Sequence, residues 1–542
     1  MSVTSKFYFM SFFMIISYLI LFFIGSFYLN LNKIVLLEFE LLSVNSISFS
    51  FIMYLDWISI YFSLIVMMIS SLILIYSKEY MMKECNRFLW MTLFFIFFMI
   101  IMIYSPSILG VVLGWDGLGI ISYCLVIYYQ NKDSFNSGFI TAASNRFGDS
   151  MLMLSIAWFS MKGMYMFWEL GDGILFFMMA CMTKSAQFPF SAWLPAAMAA
   201  PTPISSLVHS STLVTAGVYM LIRFYWCLVN SEGLLLVLIF SLITITVAGI
   251  SALQEYDLKR TVALSTLGQL GFMMMILSLG HLSVSFFHLL IHALFKALLF
   301  MCSGAIIHSG SGCQDMRKMG NLSIIPSVKI SLNISMFSLM GVPFSSGFYS
   351  KDSLLELCLC SYGGWGVGGF MLMSALITIT YSMRVLYFLS SSNFWIVWEF
   401  SSKNLYISIF CLMMLNITAG GVLNWMIMDY NIIILTSFLK WMILMIIILG
   451  VIWHGLLSLN VMMKVYLINL LFILSLTKML SMLIKMFLKS AQLLDQGWLE
   501  GSIMYLKKLS VEASLWTVNL LGGGGSNYMM SIGVLVVMIM LI

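Results

Sequence analysis

The chain has 542 residues, 62% of them hydrophobic and 9% charged, where a soluble domain is roughly a quarter charged. That composition excludes a soluble enzyme. Apolar stretches of about 20 residues recur along the whole length, so the expected fold is an all-α polytopic membrane protein rather than a barrel of alternating ten-residue segments. The net charge of +5 is spread over scattered Lys and Arg, which excludes a nucleic-acid-binding surface.

Residues 7–29 read as the first span, because they are too long and too uniformly apolar for a cleavable leader. In "EFELLSVNSISFSF" (38–51), Phe39, Leu41, Ile47, Phe49 and Phe51 share one parity, which predicts a small surface hairpin. Spans then follow at 57–77, 88–104, 108–129 and 138–161, a broken one across 172–198, and 204–228. They continue at 233–253, 262–280 and 283–308, a second broken one across 326–360, and 368–390, 404–424, 432–453 and 527–542. The total is about fifteen.

Five spans from 88 to 228 have a fourth member broken by Pro189 and Pro195; five more to 390 have a fourth broken at Pro343. An odd number of helices per unit inverts its orientation. Paired broken helices point to inverted repeats with a site near the midplane. The predicted organisation is N-terminal spans with the hairpin (1–87), two five-helix repeats (88–228 and 229–390), further spans (391–460), a lateral amphipathic region (461–526) and a terminal anchor (527–542).

In that tail, Lys478, Lys485, Lys489, Gln492, Gln496, Glu500 and Lys507 keep to one helical face. A helix of about 44 Å with charge throughout is expected to lie along the membrane plane and clamp neighbouring subunits.

Charges inside spans carry the functional signal, since each costs about 2.5–3.5 kcal/mol to insert at the bilayer centre. Lys184 sits in the apolar approach to the first break. Lys351 follows the second, with Asp352 beside it. A lysine near a span end can simply snorkel to the interface, but matching positions at two breaks favour a function. Asp116 lies mid-span with no local partner, so it is expected to pair with a distant lysine. Arg146 and Asp149 are three apart and can pair on one face.

In "FFHLLIHALFKALLF", His288, His292 and Lys296 form one stripe with steps of about 6 Å. Histidine titrates near neutrality, and a lysine whose carboxylate partner changes is a proton switch. The stripe therefore reads as a relay rather than as three core residues. His209 follows the first break, with Ser210, Ser211 and Thr212 expected to hold water. Lys259 and Arg260, between spans, read as interfacial anchors.

The nine cysteines show no CxxC pair, and most lie in apolar runs, so no iron–sulfur or zinc site is expected. "GWGVGG" (364–369) matches a dinucleotide fingerprint by letter only, with no strand before it. "GGGG" (522–525) lacks the Lys-Ser/Thr of a phosphate loop and reads as a hinge. The 48 methionines are flexible apolar filler or the mark of a genetic code rich in Met codons.

"GWDGLGIISYCLV", "SNRFGD", "TKSAQFPFSAWLPAAMAAPTPISSLVHSSTLVTAGVY", "STLGQLGFM", "HALFKALLFMCSGAIIH" and "GFYSKD" run in order. Over roughly residues 36–400 they closely resemble the antiporter-like membrane subunits of respiratory complex I. "SAQLLDQGWLE" and its surroundings look like the chain 5 branch of that family, which carries a lateral helix. The compact, Met-rich chain looks like a mitochondrially encoded form.

The resemblance implies proton translocation in the mitochondrial inner membrane, driven by electron transfer from NADH to quinone. It implies no cofactor or metal on this chain; NADH, flavin, iron–sulfur clusters and quinone are expected on other complex I subunits. It places the family's carboxylate–lysine pair on Asp116 and Lys184, its central relay on His209, His288, His292 and Lys296, and its exit lysine on Lys351. The family usually has Glu where Asp116 stands, and many members have one more N-terminal span. Two other readings remain: a sodium/proton antiporter component, and a structural clamp of the membrane arm. The lateral segment and the full charged set favour the redox-driven pump.

Overall fold

A computed structural model describes residues 3–44, 47–81, 85–161, 173–229, 233–322, 325–360, 364–391, 403–428, 435–453, 485, 487–494, 497, 501 and 504–512. The chain forms two compact units, residues 1–471 and 472–542.

The first unit opens with α1 (Val3–Leu31), an antiparallel hairpin of β1 (Val35–Val44) and β2 (Ile47–Leu55), and α2 (Trp57–Tyr80). The hairpin is where expected, but a bulge between Glu40 and Leu42 breaks its parity: Phe39 faces Phe51, whereas Phe49 faces Leu42 and not Leu41. One extra residue shifts the alternation by one place, which periodicity alone does not reveal. Asp56 then starts α2 with a reciprocal capping box, its carboxylate accepting from Ser59 N at 2.9 Å.

Next come α3 (Cys85–Tyr104), α4 (Ile108–Val126), α5 (Lys132–Met161) and α6 (Ile174–Lys184). After α6 the chain breaks. Ala186 takes a left-handed φ of 54°, and the Phe188–Pro189 peptide is cis. Short helical turns cover Phe190–Ala199, with α7 (Trp193–Ala196) among them. Pro189 therefore lies in the break as expected. Pro195 does not: it sits inside α7, in a first turn where a missing N–H costs no helical bond.

A continuous helical rod follows, made of α8 (Thr202–Ile204), a π-helical stretch (Ser205–Thr212) and α9 (Leu213–Arg223). The short α10 (Tyr225–Val229) closes the first five-member series. The second series is α11 (Gly233–Ala252), α12 (Leu258–Ser278), α13 (Leu282–Ser309), a broken pair α14 (Pro326–Met340) and α15 (Ser346–Cys360), and α16 (Gly364–Ser390). At this break Gly341 closes α14 in the left-handed region, φ 81°, with Pro343 in the connecting turn. α17 (Lys403–Ile427) and α18 (Ser437–Trp453) complete the described part of this unit.

Among the described residues, nine helices are long and apolar enough to cross a membrane, and shorter apolar helices lie at Gly110–Val126, Ile174–Lys184, Phe190–Ala199 and Ser437–Trp453. The predicted final span, 527–542, and the glycine hinge lie outside the described residues. In the second unit, residues 487–492 and 504–512 are helical.

Burial sorts the spans into an inner and an outer set. The most apolar windows of the Thr202–Arg223 rod and of α13 are 100% buried, and that of α12 is 94% buried, against 17% for α1. Most of the intramembrane charge predicted from sequence rides on the inner set and on the two broken helices packed against it.

Candidate functional site: a buried lysine–histidine line

The first group forms where α4, α5 and α6 meet. Lys184 ends α6 and is 1% exposed. Its Nζ donates to the Trp115 carbonyl at 3.2 Å and lies 4.9 Å from the Trp115 ring centre. Trp115 in turn donates from Nε1 to Asp149 at 2.9 Å. Arg146 pairs with the other oxygen of Asp149 at 3.3 Å, as the spacing predicted.

The expected Asp116–Lys184 ion pair is absent among the described residues. Asp116 is half-buried, one residue and so about 100° around α4 from the carbonyl that Lys184 occupies. Trp115, which no charge pattern flags, connects the lysine to its carboxylate.

The second group lies on the rod after the first break. Trp193 donates from its indole to the Thr183 carbonyl at 3.0 Å, and its ring meets the His209 ring edge-on at 6.1 Å. His209 is buried in the π-helical stretch, and neither ring nitrogen has a partner among the described residues. The neighbouring hydroxyls, expected to hold water, each bond a backbone carbonyl. Ser210 donates to the Ser206 carbonyl, and Ser211 and Thr212 donate to the Leu207 carbonyl at 2.9 and 2.7 Å. A π turn lengthens the backbone loop and frees carbonyls, and short hydroxyl side chains satisfy them.

The third group is the α13 stripe. His288, His292 and Lys296 are all at most 1% exposed, and the two imidazole centres are 6.3 Å apart. Lys296 Nζ donates to Ser265 Oγ on α12 at 2.5 Å. His292 has no partner on either nitrogen among the described residues. A buried polar atom without a partner costs roughly 1–3 kcal/mol, so this spacing suits bridging water.

His288 lies between Gln269 Oε1, 3.1 Å from Nε2, and Ser350 Oγ, 2.9 Å from Nδ1. As placed, Nε2–H donates to Gln269 and Ser350 donates to Nδ1. A turned-over amide supports the opposite tautomer, and an imidazolium donates to both oxygens. The site thus accepts a proton on either nitrogen without moving a helix.

The fourth group stands at the second break. Lys351 donates to the Leu339 and Met340 carbonyls, each at 3.3 Å, and to Thr378 Oγ1 at 2.7 Å. Those carbonyls end α14, where unsatisfied oxygens and the negative end of the helix dipole favour a cation. Lys351 borders a cavity lined also by Phe348, Asp352, Ile379, Ile443 and Ile447. Asp352 is half-buried and forms no ion pair with Lys351 among the described residues. The two break lysines are not strictly equivalent: Lys184 precedes its break and Lys351 follows its own.

These groups join. The end of α6 reaches Trp193, Trp193 meets His209, the rod packs on α13, and His288 touches the residue before Lys351. Lys259 was expected at the interface, yet it is 6% exposed and its Nζ reaches the Ala200 carbonyl at 3.4 Å. Its neighbour Arg260 does sit in the exposed position and pairs with Asp257 at 3.4 Å. Sequence reasoning also missed the buried pair of Arg223 with Asp56, because 167 residues separate them.

The model of the NADH:quinone oxidoreductase/Mrp antiporter membrane family matches residues 105–380, and that of the N-terminus of NADH-ubiquinone oxidoreductase (complex I) chain 5 matches residues 41–89. NADH-ubiquinone oxidoreductase chain 5 of Aedes aegypti is 44% identical over 78% of this chain and 76% of its own length. The chain 5 of Anopheles quadrimaculatus is 40% identical over 96% and 97%. Among solved structures, the Mrp complex from Dietzia sp. superposes with a TM-score of 0.73 at 21% identity, over 92% of this chain and 59% of that one. An archaeal membrane-bound sulfane sulfur reductase gives 0.69 at 20% identity, over 82% and 93%.

Proposed function

The chain belongs to the NADH-ubiquinone oxidoreductase chain 5 family, and on that premise we propose that its buried lysine–histidine line carries protons through the membrane arm of the enzyme. It is a multi-pass protein of the mitochondrial inner membrane. Its partners are other subunits of the same enzyme. NADH oxidation, the flavin, the iron–sulfur clusters and quinone reduction belong to those partners, and this chain supplies a path for protons.

One observation carries the reading. Lys184, His209, His292, Lys296 and Lys351 are all at most 6% exposed, with no carboxylate in ion-pair contact among the described residues. Buried cationic groups cost several kcal/mol each when unpaired. A purely structural core would be more stable with apolar residues there. Lys184, beside the Asp149–Trp115 group and in ion-pair contact with no carboxylate among the described residues, is the switchable end. Lys351, at the carbonyl end of α14, is the opposite end of the line.

The test is Lys184→Ala in the intact enzyme, reconstituted into vesicles. Assembly is expected to hold, NADH oxidation to continue, and the number of protons moved per electron to fall. An assembled variant with unchanged stoichiometry overturns the proposal. A dependence of the transported charge on sodium would instead favour the antiporter reading.

A further inference from the structure

The proton line described so far has ends at two breaks, and another polar cluster lies where α2 and α13 end. α2 and α13 finish together: the Tyr80 ring lies 5.5 Å from the His308 ring. Both residues are half-buried and so open toward the surface. One turn inward, Tyr76 stacks on Tyr80 at 5.7 Å and is fully buried. Its hydroxyl donates to the Met301 carbonyl at 3.1 Å. Facing both phenols is the Thr202 hydroxyl, at the start of the rod that leads to His209.

Two details separate this arrangement from ordinary core packing. Thr202 Oγ1 is buried and makes no hydrogen bond of good geometry, although buried hydroxyls are nearly always satisfied by protein or water. The oxygens also converge on a glycine. A methyl at Gly304 would stand 2.5 Å from Thr202 Oγ1 and 2.6 Å from Tyr76 Oη. The bare glycine lets the two oxygens pack close to its Cα and to each other, where any side chain would displace them. Beyond it along the rod come the buried Ser205 and Ser206, whose hydroxyls donate to the Thr202 and Pro203 carbonyls and keep their lone pairs free to accept, and then His209, seven residues or about 10 Å on.

We propose that the hydroxyls of Tyr80, Tyr76 and Thr202, gathered around Gly304, form a proton-uptake lane from the face where α13 ends to His209. Each oxygen can donate and accept, so a proton passes by hydroxyl and water exchange with no net change in any group. The lane feeds the middle of the line rather than its ends. It rests on the proton-carrying reading above.

The experiment uses the intact enzyme in vesicles and compares Tyr76→Phe, Thr202→Val, Thr202→Ser and Gly304→Ala with Lys184→Ala. Tyr76→Phe and Thr202→Val are close to isosteric and keep the packing, while Gly304→Ala pushes both oxygens from their places and tests the cluster by a separate route. The expected result is that Tyr76→Phe and Thr202→Val assemble, oxidise NADH and lose the same share of protons per electron as Lys184→Ala. Thr202→Ser is expected to restore that share, which a purely structural role would not require. Unchanged stoichiometry in assembled Tyr76→Phe and Thr202→Val, alongside a loss in Lys184→Ala, overturns the lane and leaves the line standing. Unchanged stoichiometry in all of them overturns both.

Discussion

Lys351 is the best-held cation of the line, because one hydroxyl and two helix-end carbonyls receive its three protons. Thr378→Val removes the hydroxyl at little change in volume. A charge-assisted hydrogen bond contributes about 1.5–3 kcal/mol, so proton transfer at Lys351 is expected to slow several-fold or more. The check is proton flux at fixed NADH turnover, and an unaltered flux would count against a role for this contact. At the other end, Trp115→Phe deletes the indole donor to Asp149 but leaves the carbonyl that Lys184 uses. Partial loss of pumping with intact assembly is expected there.

Outside the membrane, hydrogen bonds from Arg317 hold the Asp315 carboxyl below its ordinary value of 3.8. A depressed value stabilises the folded loop above the ordinary one, and that stability is lost as pH falls through the depressed one. Exchange of the Met316 amide, which donates to the Tyr256 carbonyl at 3.0 Å, should therefore quicken only below about pH 4. Arg317→Gln should move that onset upward, and an onset that stays put sinks the argument. At this scale the sequence discloses which residues are expensive to bury, because charge in an apolar run is visible in one dimension. It does not disclose that Trp115, Gln269 and Thr378 hold them, since ordinary side chains acquire such roles only through long-range packing.

Among the elements, the second break depends on close backbone approach. A methyl on Gly347 would overlap the Ser338 carbonyl oxygen, and one on Gly420 would stand 2.5 Å from Ser346 Cα. Gly347→Ala is expected to force α15 away from α14 and to prevent stable assembly. Gly421→Ala, which meets nothing within 4 Å, should be silent. Native gel mobility of the enzyme distinguishes the two. Helix positions are readable from apolar runs and prolines: the spans that fall on described residues, both breaks and the hairpin lie close to their predicted limits. The π-helical stretch at Ser205–Thr212 was not readable. Its hydroxyl-rich sequence suits water as well as it suits back-bonding, and only the backbone register decides between them. The hairpin bulge escaped for the same reason, since a single inserted residue leaves composition untouched.

For the whole molecule, the tail offers the broadest test. Deleting residues 478–542 removes the charged helix and the last predicted span, and the expected result is weaker attachment of neighbouring subunits. A fully active, normally assembled enzyme would reject the clamp role. The layering of the first unit has another consequence. α13 and the Thr202–Arg223 rod have no lipid-facing window, whereas α1 and α11 are mostly uncovered. Bilayer thickness acts on a protein through the helices that acyl chains touch, at fractions of a kcal/mol per ångström of mismatch. The outer helices should take up that mismatch by tilting while the inner pair keeps its spacing. Enzyme placed in lipids of shorter or longer chain should then change in heat stability but keep the same number of protons per electron. The sheath would act as a mechanical buffer, making coupling indifferent to the membrane that houses it.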